Sequence, residues 1–327
     1  MKLTKSAGIE YYAIDGLKEM QAVLLGQLAI VDQVCRENGL SYWLDGGTLI
    51  GAMRHGQPIP WDDDMDICVP KSDFDRLMPL LYERCEQDEE RLLFFYPEDG
   101  DRLWAEYFGS LNMLVMAAPG WLPVRLDIAP MKIFPNTPED IAKEREMSQM
   151  LTYCSTGFKI NPSQPRLNRQ EKAKFRHYYY NDYAGELSSR VLGLKPEELC
   201  VNNFTRENTM QHHRYSDIFP LQDIEFSGLK VMIPAKPEHY LSYYGEWRRL
   251  PELEQRCPVN QRFIRNNGKL NKSNALRKIK KYYARLDERV SFRGRLREMF
   301  MLGCAHGPMP VIKRVVSAMK RRGPIFR

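Results

Sequence analysis

Asp62, Asp63, Asp64 and Asp66 place four carboxylates in five positions, shortly after a Gly46-Gly47-Thr48 triplet. Like charges this close repel, so the cluster costs stability unless something positive sits among them. In extended chain, residues i and i+2 share a face. An extended Asp64-Met65-Asp66 therefore aims two carboxylates the same way and turns Met65 and Ile67 into a core. Asp62 joins that face if the extension starts early, and Asp63 does not. Paired carboxylates suit Mg2+, which takes hard oxygen ligands and keeps positions that substrate phosphates can fill. The Gly-Gly-Thr triplet supplies backbone amides that can approach an anion closely, with a helix N-terminus behind them. Asp127, between Leu126 and Ile128, offers a third carboxylate from an apolar run. Each piece has a plainer reading: a solvated acidic loop, a simple turn, or a strand-borne Asp paired with an Arg. Their order along the chain favours a phosphoryl-transfer site, with amides for phosphate and carboxylates for metal.

The elements that must position these groups can be read from periodicity. Leu17, Met20, Leu24, Leu28, Val31 and Cys35 recur at helical steps between Asp15, a candidate cap, and Gly39, a candidate stop. Leu40–Leu44 reads as a strand leading into the Asp45–Thr48 turn, and "LIGAMRHG" as a short helix ending at Gly56. "MDICVP" is a strand stopped by Pro70, and "SDFDRLMPLLYERCEQ" is a helix capped by Ser72. "RLLFFY" is another strand, and "LNMLVMAAPG" with "VRLDIAPMKIFP" reads as adjacent strands or a hairpin. From 136 to 211 the chain is more helical and polar. Phe226–Pro234 reads as one strand and Pro237–Trp247 as a short helix, while apolar periodicity fades after Pro258. The sum is a mixed α/β or α+β core, a mixed sheet flanked by helices, followed by a helical C-terminal part and a basic tail. The boundaries fall at 1–135, 136–270 and 271–327.

Hydrophobic residues at 43% allow a sizeable core, so the chain is globular. No apolar run approaches the ~18–20 residues that cross a bilayer. The N-terminus lacks the apolar stretch of a secretory signal, and seven scattered cysteines without a CxxC pair read as reduced thiols. A cytoplasmic location is expected, with peripheral attachment at the inner face of a membrane. That attachment would fall to the tail. Residues 275–327 carry fifteen Lys or Arg against three Asp or Glu, while the whole chain is only +6, so the body is acidic. Apolar residues recur among these cations, notably Leu276, Ile279, Tyr283, Leu286 and Val290, as in a helix lying on anionic lipid. A solvated charged face is the plain alternative. An acidic body without a known RNA or DNA module disfavours nucleic acid as a partner.

"YWLDGGTLIGAMRHGQPIPWDDDMDICV" closely resembles the signature segment of the LicD family. "RLDIAPM" resembles the family's later carboxylate strand, and "IPAKPEHYLSYYGEWRRLP" its closing segment, so the likeness runs from about Leu17 to Pro251. Departures are Ala129, where the family often has Phe, and Met131-Lys132, where it often has Leu-Asp. A basic residue that relatives carry before the third carboxylate is not evident in "WAEYFGSLNML". The resemblance implies a polymerase-β-like nucleotidyltransferase fold and movement of phosphocholine from CDP-choline, or another CDP-alcohol, onto cell-surface glycans or their lipid-linked precursors, with release of CMP. It also implies that Asp64, Asp66 and Asp127 are the catalytic metal ligands for Mg2+, one ion or two, with Mn2+ able to substitute. Gly46, Gly47, Thr48, Arg54, His55, Trp61 and Asp62 then make up the substrate-binding set. If the alcohol is choline, aromatic faces are needed around its cation, and Trp43, Trp61, Tyr107, Tyr243 and Tyr244 are near the motifs. Arg54 could instead pair with the Asp cluster. His177, His212 and His213 read as surface residues. The alternative class is a protein of the same fold that nucleotidylates protein or RNA, or binds nucleotide without turnover.

Overall fold

The computed structural model describes residues 1–6, 8–95, 106–117, 120–156, 165–203, 212–259 and 262–279. Two compact units divide the chain, Met1–Lys278 and Ile279–Arg327. The expected basic amphipathic helix falls almost wholly at 280–327, outside the described residues. Among the described residues no helix is long and apolar enough to cross a membrane.

The first unit opens with a hairpin of β1 (Lys2–Ser6) and β2 (Ile9–Ala13), then α1 (Leu17–Glu37). All six residues of the helical stripe are buried, as their spacing requires. The cap differs from expectation. Gly16, not Asp15, holds the N-cap position at φ 84, a left-handed conformation that glycine adopts without a Cβ penalty. There follow β3 (Trp43–Leu44), α2 (Gly46–His55), β4 (Asp66–Pro70), α3 (Lys71–Glu86) and β5 (Arg91–Phe95). The Gly-Gly-Thr triplet is thus the first turn of α2 itself, and α3 is capped at Pro70 rather than Ser72. Two long strands come next, β6 (Glu106–Ala117) and β7 (Gly120–Pro135).

The C-terminal half contributes α4 (Pro138–Thr156), α5 (Arg169–Tyr178), α6 (Ala184–Arg190), β8 (Leu199–Asn203) and β9 (His212–Arg214). The stretch read as a single strand at 226–234 is instead the turn and second arm of a hairpin, β10 (Gln222–Phe226) and β11 (Leu229–Ile233). Ser227 and Gly228 both have positive φ, the two-residue turn that joins antiparallel strands. A last short strand, β12 (Phe263–Arg265), was not legible because three residues carry no period.

Eight of these strands form one mixed sheet, which establishes the α+β class. The 16-residue β7 organises it by serving three partners along its length. Its first part runs antiparallel to β6, Asp127–Met131 run parallel to β4, and Met131–Pro135 run antiparallel to β8. The β6–β7 register shifts between Ser110 and Leu114, and the buried Gln27 of α1 donates there to the carbonyls of Phe108 and Val124.

At the far end of β7, Phe134 packs with Leu151, Tyr179, Tyr183 and Leu187 from the helical half. Lys132 is buried in this layer at 2% exposure, and its ammonium donates to the fully buried Glu144 of α4 and to the Tyr179 hydroxyl. Tyr179 and Tyr183 open and close a π-helical turn, and Tyr183 donates to the second Glu144 oxygen at 2.9 Å. The departure from the family pattern at Lys132 thus comes with its own counter-charge.

Candidate active site

The site forms because β3 and β4 are antiparallel neighbours. Leu44 faces Ile67 across the ladder, and the Asp45 amide donates to the Asp66 carbonyl at 3.1 Å. The chain leaving β3 must therefore start α2 beside the first residue of β4. Thr48 fixes the approach, its hydroxyl oxygen accepting the Asp66 amide at 2.9 Å. On the other side of β4, the parallel register puts Asp66 directly against Asp127. The Asp127 amide donates to the Met65 carbonyl at 2.9 Å, so extended pairing reaches one residue before β4. Met65 and Ile67 are buried, as alternation requires. Residues distant in sequence thus meet at one sheet end: the start of α2, Asp66 and Asp127.

Asp62 and Asp64 precede the strand with their carboxyls close enough to influence each other. Burial, then the neighbouring Asp64, pushes the Asp62 carboxyl well above the usual carboxylate range. Asp64 is the more exposed of the two and shifts the same way, moderated by Asp62 and Arg125. Asp66 is raised strongly by burial and by the charges of Asp127, Asp64, Asp45 and Asp62. Every one of those influences opposes its ionisation. Asp63 turns away, buried, and accepts the Val259 amide at 3.2 Å.

The glycines are needed for closeness. A Cβ on Gly47 would lie 2.7 Å from an Asp62 carboxylate oxygen, and one on Gly46, at φ +51, would lie 3.2 Å from the Tyr244 hydroxyl. The Trp61 loop is braced by Gln21 of α1, which donates to the carbonyls of Ile59 and Asp62. Trp61 itself is buried against Tyr11 of β2, their ring centroids 6.3 Å apart. Arg54 and His55 lie at the opposite end of α2 from Gly46. Arg54 donates to the Arg249 carbonyl at 3.2 Å and feels the Asp62 charge. Its buried Nε and the buried Nε2 of His55 have no hydrogen-bond partner among the described residues.

Several participants were not singled out in the sequence. Asp45 accepts the Tyr240 hydroxyl at 2.8 Å, and Tyr240 accepts in turn from the Trp43 indole at 3.1 Å. Trp43 is therefore core, fixing the closing segment to the site. Arg125 lies 3.3 Å from Asp127, an ion pair whose Nε–H is not aligned for a hydrogen bond. Its signal was available: residues two apart on a strand share a face. Tyr243 and Tyr244 are partly exposed, with ring centroids 4.0 Å apart. The Tyr107 side chain lies outside the described residues. His213, expected at the surface, packs on Tyr240 with centroids 4.1 Å apart.

Among the described residues no three Asp, Glu, His or Cys side chains converge closely enough to hold a metal ion as they stand. The donor set nevertheless fits a hard cation. It is all oxygen, and Asp66 has carboxylates as its charged neighbours.

Burial holds the imidazoles of His55 and His213 at about 4, against an ordinary 6.5, with Arg54 adding to the effect at His55. Between those values the unfolded chain binds more protons than the folded one. Stability is therefore full above the unfolded value and falls as pH drops from about 6.5 towards 4. Because both rings keep some solvent contact, we expect roughly 1–2 kcal/mol per histidine between pH 7.5 and pH 5. Urea midpoints across that range should flatten in His55→Asn and His213→Asn; an unchanged slope in both would contradict these environments.

A helix start set against strand-borne carboxylates, in a mixed α+β domain, places backbone amide donors beside acidic oxygens. Residues 39–110 match the family model LicD/FKTN/FKRP, nucleotidyltransferase domain. The chain is 23% identical over 259 residues to Lipopolysaccharide cholinephosphotransferase LicD of Haemophilus influenzae, covering 74% of this chain and 95% of that protein. It is 54% identical over 103 residues to the human Ribitol 5-phosphate transferase FKRP, covering 28% of this chain but only 21% of the human one. A shorter likeness, 35% over 57 residues, is to Mannosyltransferase regulator 4 of Saccharomyces cerevisiae, 17% of this chain and 5% of the yeast protein. The likeness to the LicD family is carried by residues 39–110 and, at lower identity, by the alignment over 259 residues.

Proposed function

We propose that this chain is a phosphotransferase that moves a phospho-alcohol, foremost phosphocholine from CDP-choline, onto a hydroxyl of a cell-surface glycan or its lipid-linked precursor. The observation that carries the reading is the register of β4 on β7, which sets Asp66 against Asp127 beside the start of α2. The relative that aligns over almost its whole length is named a cholinephosphotransferase acting on lipopolysaccharide, which supports the donor and acceptor classes. The human relative is named a ribitol 5-phosphate transferase, so CDP-ribitol is the competing donor.

Asp64, Asp66 and Asp127 would hold Mg2+, which when bound supplies positive charge to the diphosphate oxygens. The chain's own groups do the rest. The first amides of α2 donate to phosphate oxygens, and the bare Cα atoms of Gly46 and Gly47 allow the approach. The acceptor oxygen bonds to the phosphorus bearing the alcohol and its proton passes to Asp127. The bond from that phosphorus to the CMP oxygen breaks, and CMP leaves with the electron pair. The paired rings of Tyr243 and Tyr244 beside Gly46 offer π-faces to a quaternary ammonium. The basic tail suits peripheral attachment at the inner membrane face, where lipid-linked acceptors are presented.

Thermal shift with CDP-choline, CDP-ribitol, CDP-glycerol, CTP and ATP, each with Mg2+ and with EDTA, tests the donor. Stabilisation by a CDP-alcohol in Mg2+ alone, followed by CMP release, is expected. Pyrophosphate from a nucleoside triphosphate, with no CMP from any CDP-alcohol, would instead assign nucleotidylation.

A further inference from the structure

A cavity of about 500 Å³ opens on the far side of the tyrosines that flank the site. Its wall includes Asn136, His212, His213, Arg214, His239 and Tyr243. It shares a partition with the carboxylate end of the sheet. His213 stacks on Tyr240, whose hydroxyl donates to Asp45, and Tyr243 packs on Tyr244, whose hydroxyl faces Gly46. The volume suits one charged sugar unit.

The charges in this wall are uneven. Asp217 also lines it, but its carboxylate is taken up by Lys236 at 2.9 Å and His239 at 2.8 Å. Arg214, exposed on β9, makes no ion pair among the described residues. The remaining lining is rich in donors: imidazoles, the Asn136 amide and the Tyr243 hydroxyl. A guanidinium with no ion pair among the described residues, beside hydrogen-bonding side chains in a cavity of sugar size, is a site for an anionic polyol.

We propose that this pocket binds the anionic group of a charged sugar, a sugar phosphate or a sugar carboxylate, with Arg214 as its counter-charge, and that it holds the acceptor glycan beside the transfer site. The acceptor role rests on the function proposed above; the binding itself does not. Buried against Tyr240, His213 is uncharged at neutral pH and contributes a hydrogen bond, which leaves the charge recognition to Arg214. The tyrosine pair stands between the two sites, Tyr243 lining this pocket and the Tyr244 hydroxyl facing Gly46.

The test uses the full chain and three probes, glucose 6-phosphate, glucuronate and uncharged glucose, titrated by calorimetry. We expect both anions to bind about ten-fold or more tighter than glucose, the worth of one charge-assisted pair. Arg214→Gln should remove that preference, Arg214→Lys should restore most of it, and CDP-choline binding in Mg2+ should be the same in all three proteins. Equal binding of glucose and the anions by the wild type, or an unchanged preference in Arg214→Gln, overturns the pocket. Competition between glucose 6-phosphate and CDP-choline overturns it too, since the cavity would then belong to the donor. Absence of CMP release from every donor would defeat the transferase reading, while the sugar titrations still report on the pocket.

Discussion

Asp66→Asn is expected to lower turnover by about 10³-fold or more, because a metal ligand supplies several kcal/mol of charge stabilisation and each ~1.4 kcal/mol is ten-fold in rate. The same substitution should leave the metal-free protein as stable as the wild type or more so. Asp66 faces Asp127 and is repelled by four carboxylates, so a neutral amide relieves repulsion at almost unchanged volume. The combination is diagnostic: a misfolded variant loses both activity and stability, whereas a lost ligand trades one for the other. Asp63→Asn is the control, since Asp63 turns away from the cluster to the Val259 amide. CMP release and melting temperature, with and without Mg2+, read both quantities. An Asp66→Asn protein within about ten-fold of wild-type turnover would remove Asp66 from the metal site.

The second large effect lies in the helical half. Replacing Lys132 by Met should cost about 3–5 kcal/mol, because it strands Glu144 in a site with no exposure. Glu144→Leu should cost a similar amount by stranding Lys132, whose charged form burial already disfavours. The double variant should recover most of the loss, since a matched apolar pair needs no counter-charge. Urea unfolding of the four proteins gives the cycle. Additive losses, with the double variant worst, would show that Lys132 and Glu144 do not act as a pair.

The elements most legible from sequence were those with a full period. The α1 stripe, the apolar face of β4, and the paired β6 and β7 follow from side-chain spacing, and the same spacing puts Met65 and Ile67 inside and their neighbours at the edge. The order of Gly-Gly-Thr, Asp-x-Asp and a later strand Asp pointed to one sheet end, and the β4–β7 register brings Asp66 and Asp127 together there. What stayed hidden depends on contacts distant along the chain. Tyr240 reaches Asp45 only after the fold closes, and Trp43, which looks like a ligand-binding aromatic, is spent on holding Tyr240. Lys132 reads as an oddity in an apolar strand until α4 brings Glu144. Arg125 is legible by simple alternation, two residues before Asp127 on the same strand.

Changes of chain length meet two regimes in this protein. Between β4 and β7 lie α3, β5, β6 and their connections, and lengthening a connection leaves the ladder of Asp66 on Asp127 untouched. One residue gained or lost inside β7 itself, ahead of Asp127, would turn that carboxylate to the opposite face and bring Leu126 or Ile128 beside Asp66. Chains built this way can drift widely in loop length while the parity of one strand is held. Among such chains, the number of residues separating the two aspartates is a poor guide to kinship, and their phase on the strand is a good one.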